Sequence, residues 1–165
     1  MFEKKTAKKI VAAILGCAFA LNISTVAFAA DGDSIKKDRY EAESAQLKGI
    51  DIKAVTNAAA SGGKKVGWIN VPDKDTLTFK INAPAAGEYL IEEGYDNGMG
   101  DARQSVSVNG KKYSVQLPST GSWDEYAVSD GVRVTLNEGV NVVVISAKTG
   151  FAELDYIDVS AAPAE

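Results

Sequence analysis

The chain has 165 residues, 18 Lys and Arg against 22 Asp and Glu for a net charge of −4, no histidine and one cysteine. Without histidine there is no Ser-His-Asp triad, no Cys-His pair and none of the usual zinc sites. The acidic balance argues against nucleic acid and anionic membranes, which require clustered cations to displace counterions.

Residues 1–29 read as a secretory leader. Lys4, Lys5, Lys8 and Lys9 precede an apolar run from Ile10 to Leu21, and Ala27-Phe28-Ala29 places small residues where a signal peptidase reads. Ile14-Leu15-Gly16-Cys17 has the look of a lipoprotein box, but cutting there leaves only a stub of apolar core upstream, so cleavage after Ala29 is expected. The run is too short to span a bilayer, and no second long apolar stretch follows. The expected product is soluble and secreted, with no membrane attachment once the leader is removed. Loss of four lysines and one glutamate with the leader takes the net charge from −4 to −7. Cys17 leaves too, so no disulfide is expected, and a metal becomes a reasonable staple for so small a domain.

Residues 30–39 are polar and charged without period, and 161–165 form a short Ala/Pro tail; both are expected to be flexible. Between them lies one domain, 40–160. Apolar residues alternate in short runs there: Leu77, Phe79, Ile81; Val106, Val108; Tyr113, Val115, Leu117; Val132, Val134, Leu136; Val140, Val142, Val144. Period two in so many segments predicts antiparallel strands. Turn chemistry separates them: Pro84-Ala85-Ala86-Gly87, Asn109-Gly110 as a type I′ hairpin, and Asn137-Glu138-Gly139. The only helical window, Ala54–Ala60, is cut off by Gly62-Gly63. The expected class is all-β, a two-sheet antiparallel sandwich.

Seven short motifs run in order along this domain: Tyr40-Glu41-Ala42-Glu43, Val66-Gly67-Trp68-Ile69, Pro84 to Tyr89, Tyr95-Asp96-Asn97-Gly98, Val108-Asn109-Gly110, Thr120-Gly121-Ser122-Trp123 and Leu154-Asp155-Tyr156-Ile157. In order and spacing they resemble carbohydrate-binding module families 6 and 35, which share a galactose-binding-like β-jelly-roll sandwich. The resemblance covers about Tyr40 to Ser160.

Glu41 and Glu43, two apart in an expected first strand, leave one face and can converge on a cation. Spacing alone favours a solvated strand face. The resemblance implies instead that Glu41, Glu43 and Asp155 bind a structural calcium, a hard ion that takes six to eight oxygens, with backbone carbonyls near Gly62 to Lys65 completing the shell. Trp68 and Trp123, the only tryptophans, lie beside Gly- and Ser-rich turns. They are either core residues or a ligand platform, since the C–H face of a pyranose packs on an aromatic ring. The resemblance implies that they sandwich one sugar. It also places Tyr95, Asn97 and Arg103 in bordering loops, although for Asn97-Gly98 a turn needing positive φ is the favoured reading.

Where the resembled modules carry Asn two residues before the last-strand Asp, this chain has Glu153. An ionised Glu only accepts hydrogen bonds. Neutral or amino sugars are therefore expected to bind better than uronic acids, unless a second calcium held by Glu153 inverts the preference.

The expected function is non-catalytic binding of an oligo- or polysaccharide by a monomer. A small glycosidase or lyase is the alternative from another class, though no acid pair stands out for it. A degenerate module serving adhesion or assembly is the third reading.

Overall fold

The computed structural model describes residues 36–164. Their twelve strands are β1 (Lys37–Glu41), β2 (Gln46–Lys48), β3 (Lys53–Thr56), β4 (Lys64–Gly67), β5 (Thr76–Ala83), β6 (Gly87–Asp96), β7 (Ala102–Val108), β8 (Lys111–Leu117), β9 (Tyr126–Val128), β10 (Val132–Leu136), β11 (Gly139–Thr149) and β12 (Glu153–Ala161). They make two antiparallel sheets. One runs β10-β6-β12-β4-β3, with β1 beside β12 and β9 beside β6; the other runs β2-β5-β11-β7-β8. The expected all-β sandwich is the observed class.

Alternation selects the core. In β5 the side chains of Leu77, Phe79, Ile81 and Ala83 are buried, in β7 those of Val106 and Val108, in β8 Val115 and Leu117, in β10 Val134 and Leu136. Asn109 and Gly110 both take positive φ, 49° and 90°, as a type I′ hairpin requires. β11 departs from the expectation. Its inward set is Asn141, Val143, Ile145 and Ala147, while Val140 and Val142 face solvent. The unbroken Val-Val-Val-Ile run fits either register, and Asn141 decides it. Its buried amide donates to the Asn137 and Gly139 carbonyls at 2.8 and 3.0 Å and accepts from the Asn137 amide at 2.9 Å, closing the turn.

Two other expectations are corrected. Within Ala54–Ala60 no α-helix forms: Ala54 to Thr56 belong to β3, paired with β4, because the β-branched Val55 and Thr56 find a ladder and the segment is too short to hold a helix. Lys37 to Arg39 are not loose but pair with Ser160, Val159 and Asp158. Arg39 anchors them, with two 2.8 Å bonds to Asp158 and its guanidinium 3.4 Å from the Tyr156 ring. At the other terminus Ala162 donates its amide to the Glu88 carbonyl and Arg133 reaches the Pro163 carbonyl, so much of the short tail is tied to the sheet. The leader and its cleavage site lie outside the described residues. Among the described residues no helix is long and apolar enough to cross a membrane.

β12 carries a bulge that positions both candidate sites. Its register on β6 shifts between Leu154, opposite Tyr95, and Tyr156, opposite Gly94. In a regular strand Glu153 and Asp155 would share a face; the extra residue re-aims the chain and lets each acid serve a different cluster.

Candidate functional site

Five segments line a cavity of about 590 Å³, and three of them carry the residues singled out from the sequence. The end of β4 supplies Lys65 and Trp68, the β8–β9 connection Trp123 and Asp124, and the start of β12 Ala152 and Glu153. Trp68 has φ 57°, a left-handed conformation unusual for a bulky side chain, and is 42% exposed. Such strain persists where the surroundings impose it. The Lys53 ammonium stands 4.4 Å from its ring centroid. Trp123 rests on Gly98, where a Cβ would come within 2.9 Å of the indole.

The loop holding Trp123 is fixed from beneath. Thr120 donates its amide to the Asn97 carbonyl at 3.0 Å and its hydroxyl oxygen accepts from the Asn97 amide at 2.9 Å. The Asn97 side chain is fully buried and spent on backbone: it donates to the Gly100 and Leu117 carbonyls at 2.5 and 3.1 Å and accepts from the Met99 amide at 3.1 Å. Tyr95 is buried in the core and donates its hydroxyl to the Pro118 carbonyl at 3.0 Å. Arg103 lies exposed on β7 in the other sheet, between Gln116 and Thr149. The cavity thus brings together Trp68, Trp123 and Glu153, but not Tyr95, Asn97 or Arg103. The Tyr95-Asp96-Asn97-Gly98 motif builds the loop floor without facing its contents.

Glu153 has a cationic partner the sequence did not reveal. Its Oε2 lies 2.7 Å from the Lys65 ammonium, which also bonds Asp96 and donates to the Trp123 carbonyl at 2.5 Å. Burial disfavours the Lys65 charge, but the bonds to Asp96 and Glu153 outweigh it and leave its pKa raised. Burial pushes the Asp96 carboxyl up to about 6, although Lys65 pulls it down. Other lining residues also escaped the sequence reading: Phe151 and Met99, 45% and 68% exposed, and Asn57, whose amide donates to Asp124 at 2.8 Å. Gly150 before Phe151 marks a turn, the one signal available for an exposed aromatic. Lys65, beside Lys64 in a Gly-flanked stretch, reads as solvated.

Glu41, Glu43 and Asp155 form a second cluster. Glu41 ends β1 and Glu43 sits in a 3₁₀ turn, Ala42–Ser44. The turn, rather than the expected continuous strand, brings the two carboxylates together over Gly62, whose Cβ would stand 3.2 Å from Glu43 Oε1 and 3.7 Å from the Glu41 carboxyl carbon. Ser61 links the others, its hydroxyl donating to Glu41 Oε1 at 2.8 Å and its amide to Asp155 Oδ2 at 3.0 Å. Glu41 Oε2, Glu43 Oε2 and Asp155 Oδ1 are buried without a partner. The Asp155 carboxyl is pushed up to about 6 by burial first, with the Glu41 and Glu43 charges adding and the Ser61 amide and Arg39 opposing. Among the described residues no three acids already stand as a preformed metal cage.

The family described as Carbohydrate binding module (family 6) matches residues 41–161. A cycloisomaltooligosaccharide glucanotransferase of Niallia circulans is 32% identical over 72% of this chain, and a mannan endo-1,4-β-mannosidase of Thermothelomyces thermophilus 29% over 81%. The chain spans only 12% and 27% of those two proteins. Among solved structures, a family 35 carbohydrate-binding module of Clostridium thermocellum superposes with a TM-score of 0.69 at 30% identity, over 75% of this chain and 98% of its own. A cycloalternan-forming enzyme of Listeria monocytogenes, in complex with a pentasaccharide substrate, gives 0.68 at 31% identity over 74% of this chain and 12% of its own.

Proposed function

Because the chain belongs to carbohydrate-binding module family 6, we propose that it holds a sugar non-catalytically in the cavity between Trp68 and Trp123, and that calcium on Glu41, Glu43 and Asp155 steadies the fold. The observation that carries the first part is the convergence of the only two tryptophans, from segments 55 residues apart, on one open cavity with a carboxylate beside them. Indole faces suit the apolar side of a pyranose, and Glu153, Asp124 and Asn57 supply polar partners for its hydroxyls. If each indole covers on the order of 100 Å² of sugar, the gross gain is roughly 5 kcal/mol, and a Kd of about 10 μM to 1 mM remains after binding losses.

Non-catalysis is supported by the commitments of the acids. Glu153 and Asp96 are tied to Lys65 and Asp124 accepts from Asn57, which leaves no unengaged carboxylate pair at the cavity for acid and base roles. The neutral-polymer chemistry in the relatives' names, isomalto-oligosaccharide and mannan, fits an acidic pocket better than uronate chains do. A cation sits beside Glu153 as Lys65, which removes the reason to place a second calcium there. Titration with isomaltotriose and mannotriose tests binding, and a reducing-end release assay tests catalysis; release abolished by a Glu153 substitution would favour the glycosidase reading.

The acidic cluster fits calcium by its donor set. Three buried, unpartnered carboxylate oxygens repel one another unless a cation or protons intervene. Residues 41, 43 and 155 would hold the ion, which supplies neutralisation and ties β1 to β12. An exported protein acting outside the cell, where calcium is plentiful, suits this reading and the leader-like N-terminus.

A further inference from the structure

Lys65 is a buried lysine whose role the sugar site does not yet account for. Its side chain is 5% exposed, and its ammonium has three hydrogens and three acceptors: Asp96, Glu153 Oε2 at 2.7 Å and the Trp123 carbonyl at 2.5 Å. None of the three is left for a ligand. Two of the acceptors belong to different lining segments of the cavity. Trp123 lies in the β8–β9 connection and Glu153 opens β12; β9 and β12 each pair with β6, and no ladder joins them directly.

We propose that Lys65 is the positioning residue of the pocket, a buried ammonium that ties the Trp123 wall to the Glu153 wall at a fixed separation and so sets which sugar fits between them. The inference rests on the carbohydrate-binding reading. Three features make the ammonium suited to this. A charge-assisted bond is shorter and stronger than a neutral one. Asp96, 0% exposed, anchors the lysine to the core of the sheet from behind. Burial keeps water from competing for its hydrogens. The charge balance follows as well: Lys65 and the Lys53 ammonium over the Trp68 ring stand against Asp96, Glu153 and the rim Asp124, which leaves the pocket acidic by one charge. Uncharged and amino sugars are admitted, and uronates are repelled.

The test uses the whole exported chain. Lys65→Met keeps the stem and removes the ammonium but strands Asp96 and Glu153; Lys65→Met/Asp96→Asn removes the fully buried one of the two stranded charges, an exchange that buried ion pairs commonly tolerate, and leaves Glu153, which reaches solvent. The double variant, with folding followed by circular dichroism, should bind isomaltotriose and mannotriose at least about tenfold more weakly than wild type. In a Trp68→Phe background, acrylamide quenching of Trp123 should rise about twofold, a change expected of a released wall. Affinity within twofold of wild type, or unchanged quenching in a folded variant, overturns the proposal. Wild type also decides without substitution: one lysine ammonium should resist hydrogen exchange in nitrogen-detected spectra, and its absence overturns the proposal. A wild type that binds none of the sugars tested refutes the carbohydrate reading, while quenching and ammonium protection still judge the role of Lys65.

Discussion

The Glu153 carboxylate lies directly over Gly67: a Cβ at that glycine would stand 2.3 Å from Glu153 Oε1 and 2.9 Å from its carboxyl carbon. Gly67 has no positive φ to explain its presence, so space alone requires it. Gly67→Ala must push Glu153 off Lys65. We expect a loss of about 1–3 kcal/mol in stability, typical of overpacking, together with weaker sugar binding. The joint substitution Gly67→Ala/Glu153→Ala should recover the stability but not the binding. Urea unfolding of both variants checks this, and an undisturbed Gly67→Ala would contradict the placement of Glu153.

Calcium should raise the melting temperature. A ligand at a hundred times its Kd stabilises by about 2.7 kcal/mol, which for a domain of this size is on the order of 10 °C. Glu43→Gln should abolish most of the difference between excess calcium and chelator. Equal melting temperatures in the two conditions for the wild type would remove calcium from the account.

Glu93 gives the fold a pH dependence. It is fully buried on β6 between Ile91 and Tyr95, neither carboxyl oxygen has a partner, and burial pushes its carboxyl up to about 8 from 4.5. The folded chain therefore keeps a proton that the unfolded chain has lost. Stability from this group is fully present below 4.5 and is lost as pH rises toward 8, at about 1.4 kcal/mol per pH unit. Asp96, pushed up to about 6, adds the same sign at lower pH. Between pH 6.5 and 8 the slope belongs chiefly to Glu93, and Glu93→Gln should flatten it in denaturant titrations. Parallel pH profiles for the two proteins would contradict the burial argument.

Much of the fold was legible because alternation is a local signal. Leu77-Phe79-Ile81 and Val106-Val108 expose their inward faces to anyone counting by two, and Asn109-Gly110 states its own turn. β11 was misread by one residue because four consecutive β-branched residues satisfy both registers, and only the buried Asn141, a tertiary fact, breaks the tie. In the site, Trp68, Trp123 and Glu153 stood out as rare or unexpected residues in turn-rich contexts. Lys65 did not, because its meaning comes from Asp96, 31 positions away, and from a backbone carbonyl 58 positions away. Tyr95 and Asn97 carried a motif that serves the loop itself, and nothing in a sequence separates an amide that builds a loop from one that faces a ligand.

The most direct measurement is calorimetric titration of isomaltotriose and mannotriose into the wild type, Trp68→Ala and Trp123→Ala, each confirmed folded. The account predicts binding of at least one sugar by the wild type with a Kd of about 10 μM to 1 mM, and a loss of about tenfold or more with either substitution. Sugar binding unchanged in a folded Trp123→Ala would contradict it.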